Sequence, residues 1–264
     1  MSLHPDLAAL TPDMGQPVAG RISLVGAGPG PADLLTGRAV ARIAAADVVF
    51  FDRLVGDEVL ALIPARARRV DVGKEVGGGG WSQARICAAI VTAAQAGLRV
   101  VRLKSGDPSI FGRAAEEIDA ARAAGVPVEI VPGITAASAA AASLCEPLTE
   151  RGRFDRLLVA TGTSLTGEAV GNLAASLVPG TRLALYMAIH CAARIEADLL
   201  EAGLPGVAAV TIISKVGHAE ERVARGRLAG MATLIAAQGI ANPALVLIDI
   251  AAGAGVTQEA ALNR

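Results

Sequence analysis

The chain reads as an α/β protein, on three observations. Short apolar runs that stop at glycine or aspartate alternate with segments of helical period along most of its length. The runs are near-continuous in Val, Ile and Leu, as strands of a parallel sheet covered on both faces require. The pattern breaks once, at a Pro- and Arg-containing interval in mid-chain, so the 264 residues divide into two compact α/β domains.

Residues 1–20 carry Pro, Gly and polar residues and are expected to be a loose tail. The first domain spans 21–132. Its first strand is Ile22-Ser23-Leu24-Val25, stopped by Gly26, and helical spacing follows over Leu34 to Ala46. Asp47 to Phe51 is the second strand, ending at Asp52, and Arg69 to Val72 the third, stopped by Gly73. A helix from Arg85 to Ala96 closes on Gly97, a favoured residue just past a helix end. Arg99 to Leu103 is the fourth strand. Ala114 to Ala124 is a helix closed by Gly125, and Pro127 to Val131 the fifth strand. An Ala/Ser segment and a basic loop make 133–154 a linker. The second domain, 155–252, holds strands at Leu157 to Ala160, Arg182 to Met187, Ala208 to Ser214 and Ala244 to Ile250, with a helix over Ala192 to Ala202. Residues 253–264 are a second tail.

Composition narrows the function. Hydrophobic residues make up 53% of the chain, yet no stretch of about 18 strongly apolar residues exists, which argues against a membrane span. The N-terminus lacks a basic-then-apolar targeting pattern, and a cytoplasmic setting is expected. Lys and Arg total 24 against 25 Asp and Glu, without a dense basic run, so a nucleic-acid partner is not expected. Four Phe, one Trp and one Tyr leave few stacking platforms, and a flat ligand would be held by aliphatic walls and backbone. Three distant cysteines, Cys87, Cys145 and Cys191, suit small buried hydrophobes better than disulfides or a zinc site, and three histidines supply metal or triad chemistry poorly.

Ligands of parallel α/β sheets bind outside the carboxyl ends of the strands. Those ends carry Gly28-Pro29-Gly30, Asp52-Arg53, Gly73-Lys74, Ser105-Gly106-Asp107-Pro108 and Pro132-Gly133-Ile134-Thr135. Glycine beside polar residues lets a ligand approach the backbone. A dinucleotide reading of Gly26 to Gly30 fails on spacing: Pro31 stands where the third glycine of G-x-G-x-x-G belongs, and Pro29 and Pro31 remove N–H donors.

The strings VGAGPGPADLLTGRAV, DVVFFDRLV, VGKEVG, VVRLKSGDPSIFGRAAEE, VPGITAASAAAA and LYMA occur in order over roughly 21–250. Together they resemble the tetrapyrrole (porphyrin/corrin) methylase family, and within it the members that C-methylate uroporphyrinogen III. The resemblance implies a mainly parallel sheet in the first domain, a mixed sheet in the second, and S-adenosylmethionine bound in the cleft between them, with S-adenosylhomocysteine as product and no metal. It also implies a homodimer. By motif position, Pro29, Ser105, Gly106, Asp107, Ile110, Thr135, Ala136, Met187 and Val216 are the candidate cofactor contacts. Asp52 and Lys74 are the candidate proton acceptor and donor.

The chemistry suits these residue types. Methyl transfer is a positioning task in which the cofactor brings the electrophile, so no covalent nucleophile is needed. A pyrrole carbon that attacks as an enamine requires protons to move, which a carboxylate or lysine assists. Lys74 reads equally as a carboxylate anchor. Arg53, Arg113, Arg151 and Arg153 are candidate anchors for a polycarboxylate tetrapyrrole, since arginine grips carboxylate bidentately. The implied reaction is methylation at C2 and C7 to precorrin-2. Methylation of a later precorrin, or a non-catalytic tetrapyrrole sensor, stays open. The loop around Lys74 departs from the family pattern: Glu75 replaces an arginine, Gly79-Gly80 a His-Ser pair, and Cys87 an asparagine. Trp81, beside it, either caps a ligand or packs beneath the loop.

Overall fold

The computed structural model describes residues 20–73, 80–163 and 176–251. Both tails, Lys74 and most of the glycine run after it therefore lie outside the described residues. The chain divides into two units, 1–135 and 136–264.

The first unit carries a five-stranded sheet of β1 (Arg21–Gly26), β2 (Val48–Phe51), β3 (Arg68–Asp71), β4 (Arg99–Lys104) and β5 (Val128–Val131). Their order is β3-β2-β4-β1-β5, and every pairing is parallel. Among the described residues the helices between them are α1 (Gly37–Ala45), α2 (Asp57–Ala61), α3 (Gln83–Gln95) and α4 (Ala114–Ala123). Thr36 starts α1 by accepting the Ala39 N–H at 3.2 Å, and Ser82 starts α3 by accepting that of Arg85 at 3.2 Å. Both satisfy a helix N–H that has no intrahelical partner.

Side chains alternate across the sheet. Ile22, Leu24, Phe50 and Val100 face Ile86, Ile90 and Ala121 of α3 and α4. Val25, Val49, Val101 and Leu103 face Ala39, Ile43 and Val59 of α1 and α2. Two apolar layers thus cover the sheet, in keeping with the largely apolar character of its central strands. Trp81 is partly buried against the α3 side of the core, with the Arg85 guanidinium 3.9 Å from its ring centre.

The second unit has a mixed sheet of β6 (Arg156–Thr161), β7 (Thr181–Tyr186), β8 (Ala209–Ser214), β9 (Arg222–Arg227) and β10 (Ala244–Ile250), ordered β6-β7-β10-β8-β9. Among the described residues of this unit only the β6–β7 pairing is parallel. Helices α6 (Ala192–Glu201) and α7 (Met231–Ala237) supply Ile195, Leu199 and Ile235 to a core with Leu183, Leu185, Ile212 and Ile248. Where a linker is expected over 133–154, residues Ala136–Leu144 form helix α5, which packs against β10 within this unit. The short helices α2 and α7 and strand β9 are likewise absent from the sequence reading. Among the cysteines, Cys87 is buried, but Cys145 is exposed at the end of α5 with φ +54°, against the expectation of burial.

Candidate active site

In the first unit the strand order sets the ends of β4, β1 and β5 side by side, and their glycines meet backbone to backbone. Gly28 and Gly106 exchange hydrogen bonds, N–H to carbonyl at 3.2 Å one way and 2.7 Å the other. A methyl on Gly133 would stand 2.2 Å from the Gly106 carbonyl oxygen, and one on Gly26 would stand 2.6 Å from Gly133 Cα. No side chain fits at either place. Asp107 completes the junction. One carboxylate oxygen accepts the Gly133 N–H at 3.0 Å; the other accepts the Ser109 N–H at 2.7 Å and is also bonded by the Ser109 hydroxyl.

The structure therefore gathers Pro29, Ser105, Gly106 and Asp107 on one sheet edge. Ile110 belongs to the same loop, its N–H donating to the Asp107 carbonyl at 3.1 Å. Gly106 has φ +70°, and among the described residues only Thr135 Cα comes within 4 Å of where its Cβ would lie, at 3.9 Å. Thr135 thus lies in ordinary van der Waals range of that position, and this edge presents backbone groups and small side chains, a lining that fits S-adenosylmethionine held mainly through the backbone.

Ala136, Met187 and Val216 belong to the second unit. Ala136 opens α5, whose Ala137 N–H donates to the Tyr186 hydroxyl at 3.0 Å. Met187, next in sequence, has φ +52° and is 45% exposed. Val216 is buried just beyond β8, where the Lys215 N–H donates to the Pro243 carbonyl at 2.8 Å. Because β10 starts between the ends of β7 and β8, Met187 and Val216 leave the same edge of the second sheet.

Asp52 stands in the turn after β2. Its Oδ1 accepts the Leu54 N–H at 3.1 Å, and its Oδ2 accepts from Arg102 Nη2 at 3.3 Å. Arg53 is exposed, and its backbone N lies 3.2 Å from where a Gly73 Cβ would sit. The β2 turn and the residue preceding Lys74 are therefore neighbours, while Lys74 itself lies outside the described residues. Of the other arginines, Arg113 caps α4 at φ +54° and pairs with Glu116 at 2.7 Å in solvent. Arg153 pairs with Glu150 at 3.2 Å in a second-unit turn that also holds exposed Arg151.

A buried ionic cluster behind Asp52 is missing from the sequence reading. Arg102 Nε donates to Glu117 Oε1 at 3.3 Å, and Lys104 Nζ reaches both Glu117 oxygens at 2.9 and 2.8 Å. Gln83 Nε2 adds a bond to Oε1 at 3.2 Å. Glu117 is fully buried, and Arg102 and Lys104 nearly so. Burial pulls the Lys104 ammonium below the usual lysine range; the neighbouring Arg102 charge acts in the same direction and Glu117 opposes it. The available signal was two charges at i and i+2 in the buried part of β4, which places both on one face.

The chain matches the family model for tetrapyrrole (corrin/porphyrin) methylases over residues 21–232. It is 42% identical over 235 residues to a uroporphyrinogen-III C-methyltransferase of Paracoccus denitrificans, covering 89% of this chain and 82% of that protein. Identity to siroheme synthase 1 of Aeromonas hydrophila is 42% over 229 residues, but only 49% of that protein is covered, so the chain spans about half its length. A uroporphyrin-III C-methyl transferase of Thermus thermophilus, solved with S-adenyl homocysteine, is 35% identical with a TM-score of 0.74 over 87% of this chain and 97% of that one. A cobalt precorrin-4 methyltransferase, 23% identical with a TM-score of 0.77, shares the fold.

Proposed function

The chain belongs to the tetrapyrrole (corrin/porphyrin) methylases, and we propose that it transfers methyl groups from S-adenosylmethionine to uroporphyrinogen III, at C2 and C7, giving precorrin-2. The glycine junction at the ends of β4, β1 and β5 carries this reading, in a chain similar to an enzyme solved with S-adenyl homocysteine.

When bound, S-adenosylmethionine supplies an electrophilic methyl group and leaves as S-adenosylhomocysteine. The chain's own residues bind, orient and move protons. Gly106, Asp107 and Thr135 of the first unit would hold the cofactor, the glycine by its backbone, with Pro29, Ser105 and Ile110 on the same edge. Ala136, Met187 and Val216 are further candidate cofactor contacts by motif position. Asp52 is the proton acceptor, held from behind by Arg102. Lys74 is the donor. Arg53, Arg113, Arg151 and Arg153 bind substrate carboxylates. For Arg113 the exchange is undemanding, because its pairing with Glu116 is a solvent-exposed one of small net value. A homodimer and a cytoplasmic setting accompany this reading on family resemblance.

Incubation with uroporphyrinogen III and methyl-labelled S-adenosylmethionine, followed by mass analysis, tests the reaction. Two added methyl groups are expected. Binding of the cofactor without any added methyl group would defeat the substrate assignment. Asp52→Asn and Lys74→Ala should slow turnover with cofactor binding retained; loss of cofactor binding in either would move that residue to the cofactor side.

A further inference from the structure

We infer that Arg102 is a positioning residue whose task is to hold the Asp52 carboxylate, with the buried Glu117–Lys104 pair as its anchor; this rests on the assignment of Asp52 as proton acceptor. All three guanidinium nitrogens are engaged. Nε donates to Glu117 Oε1 at 3.3 Å, Nη1 to the Leu103 carbonyl at 2.7 Å, and Nη2 to Asp52 Oδ2 at 3.3 Å. A planar fork fixed at two corners leaves the third corner one direction, and Asp52 occupies it.

The anchor is equally constrained. Glu117 accepts from Arg102, Lys104 and Gln83, which come from β4 and α3, so its carboxylate is locked from two elements. Asp52, Arg102, Lys104 and Glu117 together sum to zero formal charge, so the cluster leaves no excess charge in the interior. A buried ion pair adds little stability over apolar residues of the same volume, so stability does not account for it. Its position does. The buried side chains end on a loop carboxylate that keeps 28% of its side-chain surface exposed, at the sheet edge where the strands' other functional candidates emerge. Support of this kind holds a reacting group in its productive geometry, and misplacement of about 1 Å can cost roughly a hundredfold in rate.

The test is a double-mutant cycle on the full chain. Arg102→Lys keeps the buried positive charge and removes the fork. It should lower kcat about tenfold or more, while S-adenosylhomocysteine affinity by calorimetry stays within about twofold of the parent. Added to Asp52→Asn, the same change should lower kcat no further, because the group it positions is gone. Glu117→Gln, which loosens the anchor without changing its shape, repeats the cycle if Arg102→Lys does not fold. Equal losses from Arg102→Lys in the parent and in the Asp52→Asn background would overturn the inference alone. An Asp52→Asn protein turning over at the parent rate would overturn the acceptor assignment together with it.

Discussion

Asp107 and Gly133 are joined by a 3.0 Å hydrogen bond from the Gly133 N–H to Asp107 Oδ2, so the loop after β4 holds the end of β5. The two residues lie on either side of β1's carboxyl end, and their contact spans the edge where the methyl donor is proposed to bind. Asp107→Ala removes the acceptor and leaves that N–H without its carboxylate. The expected result is a loss of about tenfold or more in S-adenosylhomocysteine affinity, at a cost of about 1–3 kcal/mol for the unpaired amide. Calorimetric titration checks it; unchanged affinity would separate the junction from the cofactor.

Gly133 is also a packing limit. Its missing side chain leaves room for the Gly106 carbonyl oxygen, 2.2 Å from any Cβ. Gly133→Ala must push two strand ends apart, and a loss of at least about 2 kcal/mol in urea unfolding is expected. Gly125→Ala provides the contrast. There a Cβ meets nothing within 4 Å but the φ of +66° is strained, so a smaller loss of about 1 kcal/mol is expected.

In the second unit Arg182 binds Asp249 bidentately at 2.7 Å through Nε and Nη2, donates to the Pro147 carbonyl, and covers the Phe154 ring at 4.4 Å. Both partners are mostly buried. Asp249→Asn leaves the guanidinium without its counter-charge and should cost about 3 kcal/mol or more. Chemical denaturation measures this, and a loss below about 1 kcal/mol would show that the pair is well replaced by an amide.

Stability against acid is expected to depend on two first-unit carboxylates. The Arg99 guanidinium beside Asp47, and Arg42 beside Glu129, hold these carboxyls below the usual carboxylate range. Below a pH of about 4–5 the unfolded chain therefore binds more protons than the folded one. The contribution of both pairs is complete above that range and is lost as pH falls through the lowered folded values. Thermal melts across this window should show a shallower acid decline for Asp47→Asn than for the parent. Parallel curves would sink the idea.

Thiol accessibility should separate the cysteines. Cys145 is exposed, whereas burial pushes the Cys87 thiol up and keeps it from reagent. Maleimide at neutral pH should label Cys145 rapidly in the folded protein and Cys87 only after denaturation, as peptide mass analysis would reveal. Rapid native labelling of Cys87 would contradict its place in the α3 core.

The amino-acid sequence determined the alternation of strands and helices, the strands' near-continuous apolar character, and the glycine and aspartate residues at their ends. It did so because side-chain period and turn chemistry are local properties. The ordered motifs determined the family for the same reason: they are read along the chain. Helix α5 escaped because an Ala/Ser segment has almost no polar face to reveal its period, and β9 because its three arginines and a glycine look like a solvated loop. Only the tertiary structure decided which strand ends became neighbours, since crossover connections, rather than the strands themselves, set the order β3-β2-β4-β1-β5. The same holds for the cluster behind Asp52. Arg102 meets a partner 50 residues away and another 15 away, and charge pairing at such separations is a consequence of folding that no local pattern encodes.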